Sequence, residues 1–174
     1  MSSACAAGLE RLSHNVNRLV EIAVGLLVAL TVVITFIQVI FRYGLDSSLS
    51  WSEEAARYSF IWTIFLGASV AARRGQHIVV EALVEVLSPR LRRVLTLGVA
   101  LIGIAFFTLL GYVAALLVDN AWSQTSTALQ ISIAWVYASA PLGAALTVLH
   151  LVNAVVQRPR AGVSETDRQP QPPI

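Results

Sequence analysis

The sequence predicts an all-α membrane protein: four transmembrane helices, both termini in the cytoplasm, and an interfacial amphipathic helix in the cytoplasmic middle loop. Three observations predict it. Of 174 residues, 56% are hydrophobic and only 13% charged, whereas soluble domains carry about a quarter charged residues. Four apolar runs are each long enough, or nearly so, to cross a bilayer, which takes about 20 residues. The arginines, which make up every basic residue other than histidine, cluster in alternate connecting segments.

Met1 to Arg18 is a short polar head, with no small-residue cleavage site of the kind that follows a signal peptide. The membrane domain is expected over residues 19–156, with spans at about 19–41, 51–73, 94–118 and 131–156. The uncharged run of the second span, Tyr58 to Ala72, is short by itself. Ser50-Trp51-Ser52-Glu53 fits a capping box, Ser50 as N-cap and Glu53 three residues on, so the helix starts early. Its first turn then sits among headgroups, where Glu53, Glu54 and Arg57 stay wet. The middle loop contains Ile78 to Leu87, with Glu81 and Glu85 on one face, and this segment is apolar enough to lie on the inner interface. Ser88-Pro89 ends it, and Pro89 suits a first helical position. Residues 157–174, ending QPQPPI, are expected to form a disordered cytoplasmic tail.

Orientation follows from arginine placement. The head holds Arg11 and Arg18, the middle loop Arg73, Arg74, Arg90, Arg92 and Arg93, and the tail Arg158, Arg160 and Arg168. The third connection, Asp119 to Gln130, has no basic residue. The chain is therefore expected to run N-in and C-in. Tyr43, Trp51, Trp122 and Trp135 fall near the outer interface, as an aromatic belt does.

Chemistry is sparse. Between the interfacial ends of the spans there is no Asp, Glu, Arg or Lys, and such residues usually mark ion pathways. A free-standing channel or transporter is thus a weak reading. Pro141 removes a backbone donor and frees the carbonyl of Tyr137, which reads as a kink absorbed by packing. His14, His77 and His150 all fall toward the cytoplasmic side; a facing pair can ligate haem, but ordinary interfacial histidines explain them. The lone Cys5 excludes an internal disulfide. No nucleic-acid motif is present. Arg90, Arg92 and Arg93 hold topology or bind anionic lipid. Glu53, Glu54 and Arg57 either stabilise a helix start or form a docking surface. Ser139, Gly143 and Thr147 form an i,i+4 stripe, with shorter ones at Gly25 and Ala29 and at Gly67 and Ala71; internal packing is the simpler use. Gln38, Thr63 and Ser69 offer polar groups to such contacts.

Taken together, Phe41-Arg42-Tyr43, Ser50-Trp51-Ser52-Glu53-Glu54-Ala55-Ala56-Arg57-Tyr58, Trp62, Phe65-Leu66-Gly67-Ala68 and Arg73-Arg74-Gly75-Gln76-His77-Ile78 resemble the small membrane subunit of tripartite ATP-independent periplasmic (TRAP) transporters. Ser126-Thr127-Ala128-Leu129, Trp135-Val136-Tyr137 and Pro141-Leu142-Gly143 are similar to that family's fourth-span region. Ser132 departs from it, standing where the family often has proline, and leaves the start of the fourth helix open. The resemblance implies a small subunit of a sodium-coupled importer of an organic anion such as a carboxylate, in the bacterial inner membrane. Its implied partners are the large permease subunit, a periplasmic substrate-binding protein and membrane lipids. It implies that the chain braces the large subunit and helps dock the binding protein. Trp51, Glu53, Glu54, Arg57, Tyr58, Arg74 and His77 are the matching positions expected at a partner interface. No catalytic residue, cofactor or metal is expected, and no enzymatic activity. The alternative from another class is a haem- or quinone-associated membrane anchor of a redox complex.

Overall fold

The computed structural model describes residues 3–47, 49–84 and 89–157. Its elements are α1 (Ser3–Gly44), α2 (Ser50–Val84), α3 (Pro89–Ala121), the short α4 (Ala134–Tyr137) and α5 (Ser139–Gln157). Among the described residues, four stretches are long and apolar enough to cross a membrane: Ser13–Gly44, Ser50–Arg74, Val94–Ala121 and Ala134–Val156. The C-terminal tail, from Arg158 on, and the Ser88 turn lie outside the described residues.

The helices are longer than the apolar runs. The polar head is helical from Ser3, so α1 has 42 residues and spans about 63 Å. No glycine pair or proline interrupts it, and Ser13 and Asn17 turn inward and are buried. The helix of the second span continues through Gly75 to Val84. The segment read as a separate surface helix is, over its described part, the end of α2. Pro89 opens α3, where its missing N–H would have had no partner.

The fourth span is two helices. Ala138 separates α4 from α5, three residues before Pro141. Proline has no N–H for the Tyr137 carbonyl, so the ladder breaks there. The Ser139 hydroxyl donates to the Val136 carbonyl at 2.7 Å and ties the two pieces together. The fourth span starts at Ala134 rather than Ile131, and Ser132 explains the delay. Its Oγ accepts from the Ala134 N–H at 3.3 Å, just ahead of the Ile133 N-cap position at which α4 starts. The hydroxyl also lies 3.2 Å from the Trp122 carbonyl, to which it donates.

The helices pack in the lateral order α1–α2–α5–α3. α2 and α5 form the centre, and α1 and α3 flank them. The contact between α2 and α5 is set by Gly143: a Cβ there would stand 2.6 Å from the Phe65 carbonyl oxygen. Only hydrogen fits. Ser139 and Thr147, one turn either side, are fully buried, so the stripe read from sequence is an internal seam. Gly111 and Gly103 bring α3 close to α5 less tightly: a Cβ there would stand 3.3 Å from the Ala144 side chain and 3.1 Å from that of Leu151. Gly25 and Gly67 meet nothing within 4 Å and take no part.

Burial is inverted relative to a soluble core. Among the described residues the largest fully buried side chains are Ser13, Ser52, Ser69, Ser139, Thr147 and His150, whereas Leu26, Val32, Phe36, Val99, Ile102, Phe106 and Leu109 face outward. Lipid rewards apolar surface as well as a protein interior does, so close backbone approach decides what goes inside. Several hydroxyls along the spans make no demand on a neighbour. Thr63 donates to Ser59, Ser69 to Leu66 and Thr147 to Gly143, each to a carbonyl of its own helix. Thr63 and Ser69 thus fill space between helices without bonding across it, contrary to the sequence expectation.

Gly143→Val is expected to lower the stability of the purified chain by about 1–3 kcal/mol through overpacking, while Gly67→Ala is neutral or slightly stabilising. Denaturation in detergent, followed by circular dichroism, compares the two; equal effects would refute the seam.

Candidate functional site

The candidate interface residues fall at opposite ends of α2. About 30 Å of helix separates Glu54 from Arg74 at 1.5 Å per residue. One end of the molecule, the loop end, carries the 45–49 and 122–133 connections. The other, the terminal end, carries Ser13, Arg73 and His150.

At the loop end α1 stops with Asp46 in the left-handed region, φ 48°, which Asp tolerates better than most residues. The Ser47 N–H reaches back to the Phe41 carbonyl at 3.1 Å. α2 begins at Ser50, one residue earlier than a capping box on Ser50 requires. The bonds at its start run from the Ser52 amide and hydroxyl to the Leu49 carbonyl. Glu53 accepts from Arg57 at 2.9 Å, an exposed i,i+4 ion pair. Trp51 is exposed and Tyr58 half-buried.

Glu54 does something different. Its Oε1 accepts the Thr127 N–H at 3.0 Å, and its Oε2 accepts those of Ala128 and Leu129 at 3.1 and 2.9 Å. Three successive main-chain donors converge on one carboxylate. They lie at the head of a hairpin whose neck is the Thr125–Ser132 bridge, closed by Ser126 N–H to the Ile131 carbonyl and Ile133 N–H to the Gln124 carbonyl. Gln130, at φ 55°, reverses the chain, and its side-chain amide donates to the Thr127 carbonyl. Trp122 and Trp135 stack edge-to-face beside the neck, centroids 5.8 Å apart. Both are exposed, as are Tyr43, Leu45 and Ile131, which gives this end an apolar, aromatic rim.

At the terminal end α1, α2 and α5 are tied by polar side chains. A 2.9 Å hydrogen bond joins the Ser13 hydroxyl and His150 Nδ1, and both residues are fully buried. Arg73 donates to the Ser13 carbonyl at 3.1 Å and to His14 Nδ1 at 3.3 Å. Arg74 donates to Glu21 at 2.8 Å, and Asn17 donates to the same oxygen at 2.8 Å. His77 belongs to the helical backbone of α2; its side chain lies outside the described residues, as do those of Glu81, Arg90, Arg92 and Arg93.

The sequence did not single out Ser13, Asn17, Glu21, His150 as a contact, or the amides of residues 127–129. The inward-facing i,i+4 spacing of Ser13 and Asn17 at the head of an apolar helix was the available signal for the first two. Among the described residues no three of His, Cys, Asp and Glu come together as a metal-binding group.

Removing the Ser13–His150 bond by Ser13→Ala is expected to cost about 1–3 kcal/mol, since it strands a buried polar atom. Arg57→Ala, which breaks an exposed pair, is expected to cost under about 1 kcal/mol. Parallel denaturation curves check the ranking; a larger loss for Arg57→Ala would reverse it.

The chain matches the family of tripartite ATP-independent periplasmic transporters, DctQ component, over residues 31–161. It is 41% identical to a putative TRAP transporter small permease protein of Haemophilus influenzae, over 47% of this chain and half the length of that protein. It is 32% identical to the sialic acid TRAP transporter small permease protein SiaQ of Vibrio cholerae, over 84% of this chain and 85% of that one. It is also 25% identical to the C4-dicarboxylate TRAP transporter small permease protein DctQ of Vibrio cholerae, over 84% and 74%.

Proposed function

The chain belongs to the DctQ-component family of tripartite ATP-independent periplasmic transporters, and we propose that it is the brace of such a system, holding a large permease subunit in the bacterial inner membrane. The observation that carries this reading is the absence of acidic and strongly basic residues at mid-depth. No Asp, Glu, Lys or Arg occurs between Glu21 and Arg42, between Arg57 and Arg73, between Arg93 and Asp119, or between Asp119 and the end of α5. A charged solute crossing the membrane needs compensating groups along its path, and these four spans have none to offer. Their flanks, α1 and α3, are apolar and exposed, which suits lipid or another membrane protein.

The relatives named for sialic acid and for C4-dicarboxylates share this small subunit's pattern although their substrates differ. Both substrates are carboxylates, so the transported solute is an organic anion, selected by other components. Sodium coupling likewise resides in the large subunit. The arginine distribution supports N-in, C-in topology. That topology turns the loop end, with the tryptophan rim, toward the periplasm and sets Glu53 and Arg57 against the outer margin of the large subunit. It turns Arg74, His77 and the end of α2 toward the cytoplasm, beside the inner ends of the large subunit and the headgroups.

Vesicles holding this chain alone are expected to accumulate no organic anion. Accumulation is expected when the large subunit, the binding protein and an inward sodium gradient are added; uptake by the chain alone, or full uptake without it, would sink the proposal. Arg57→Glu is expected to reduce recovery of the large subunit on affinity purification several-fold while leaving the helical content intact. Unchanged recovery would remove Arg57 from the interface.

A further inference from the structure

We propose that Glu54 is a positioning residue: its carboxylate moulds the 124–133 hairpin into the shape that the soluble binding protein meets. This rests on the reading above, which places the loop end outside. Three facts carry it. The carboxylate accepts three consecutive amides from a segment more than 70 residues away. Successive N–H groups pointing to one place form a concavity that an anion fills and a neutral amide does not. The head it holds, Thr125 to Gln130, is polar except at Ala128 and Leu129 and carries no charge of its own, so its amides have no other anion in the hairpin to converge on.

The hairpin also has the right place. It lies beyond the ends of the third and fourth spans, at Ala121 and Ala134. Thr127 and Gln130 at its head are exposed. A polar head outside the apolar zone faces water or a water-soluble partner rather than acyl chains. Without Glu54 the three amides would seek water, and the head would sample many shapes. A partner that binds one shape would then bind more weakly, by the fraction of time that shape is present. Both carboxylate oxygens of Glu54 are occupied within the chain, so its effect on a partner runs through the loop.

The test uses the assembled transporter in vesicles and two variants, Glu54→Gln and Ala128→Pro. The first removes the anion and the second removes one of its donors. Hydrogen–deuterium exchange of the peptide covering residues 124–133 is expected to quicken about tenfold or more in both, with α5 unchanged. The binding-protein concentration giving half-maximal uptake is expected to rise several-fold, with the maximal rate held within about twofold, as a loss of pre-formed shape predicts. Unchanged exchange overturns the proposal. So does faster exchange without a rise in the half-saturating concentration, or a fall in maximal rate alone, which is what general destabilisation gives. The wild-type assembly is the control for the brace itself: if its uptake needs neither this chain nor the binding protein, the parent reading fails, whatever Glu54 does.

Discussion

The fold depends on one close approach. At Gly143 the backbone of α5 lies against the backbone of α2 at Phe65, with room for a hydrogen atom and nothing larger. In lipid there is no water to expel from between two helices, so apolar side chains gain little by moving inside. Dispersion at short range is what remains, and it needs small residues. Serine, threonine and alanine therefore line the seam, and leucine, valine and phenylalanine are left outside. α1 and α3 join this central pair from opposite sides, which produces a row of helices with two broad apolar flanks.

Contacts of a different kind then fix the two ends. A seam of small side chains resists sliding poorly, because one small residue resembles the next. Directional bonds supply what it lacks. Ser13 with His150 and Glu21 with Arg74 pin α1 to its neighbours at one end. Glu54 pins the α3–α4 hairpin to α2 at the other. Ser13, Arg74 and the hairpin amides lie at or beyond the margins of the apolar stretches, where a polar group costs least. The middle is left to van der Waals contact and the ends to electrostatics.

This division explains what could be read from the sequence. The four spans follow from apolar length, and the seam on α5 follows from the i,i+4 spacing of Ser139, Gly143 and Thr147. The family signature follows from the residues around Trp51 and His77. The end contacts were not legible. Glu54 meets main-chain amides, which every residue but proline possesses, so no side chain across the loop betrays the pairing. Ser13 and His150 are 137 residues apart and each has a commonplace reading alone. The break at Ala138 was half legible: Pro141 announces a freed Tyr137 carbonyl, but a kink and a full interruption look alike until the Ser139 hydroxyl is seen bonding to Val136. The extent of α1 and α2 was underestimated because hydropathy marks where a helix meets lipid and is silent on where helical hydrogen bonding stops.

A subunit with these properties is suited to staying still. Movement of charge through a membrane requires groups whose hydration can be exchanged along the path, and those groups must shift as the solute does. A row of helices clamped at both ends and interlocked at the centre, with the hydroxyls of Thr63, Ser69 and Thr147 satisfied inside their own helices, has neither the groups nor the freedom. What it offers is a fixed apolar wall with a shaped polar hairpin at one margin. If a neighbouring subunit carries solute by moving through the bilayer, it needs a part of the assembly that does not move against which to do so. The low content of ionisable side chains and the many backbone-satisfied hydroxyls are then two consequences of that one demand.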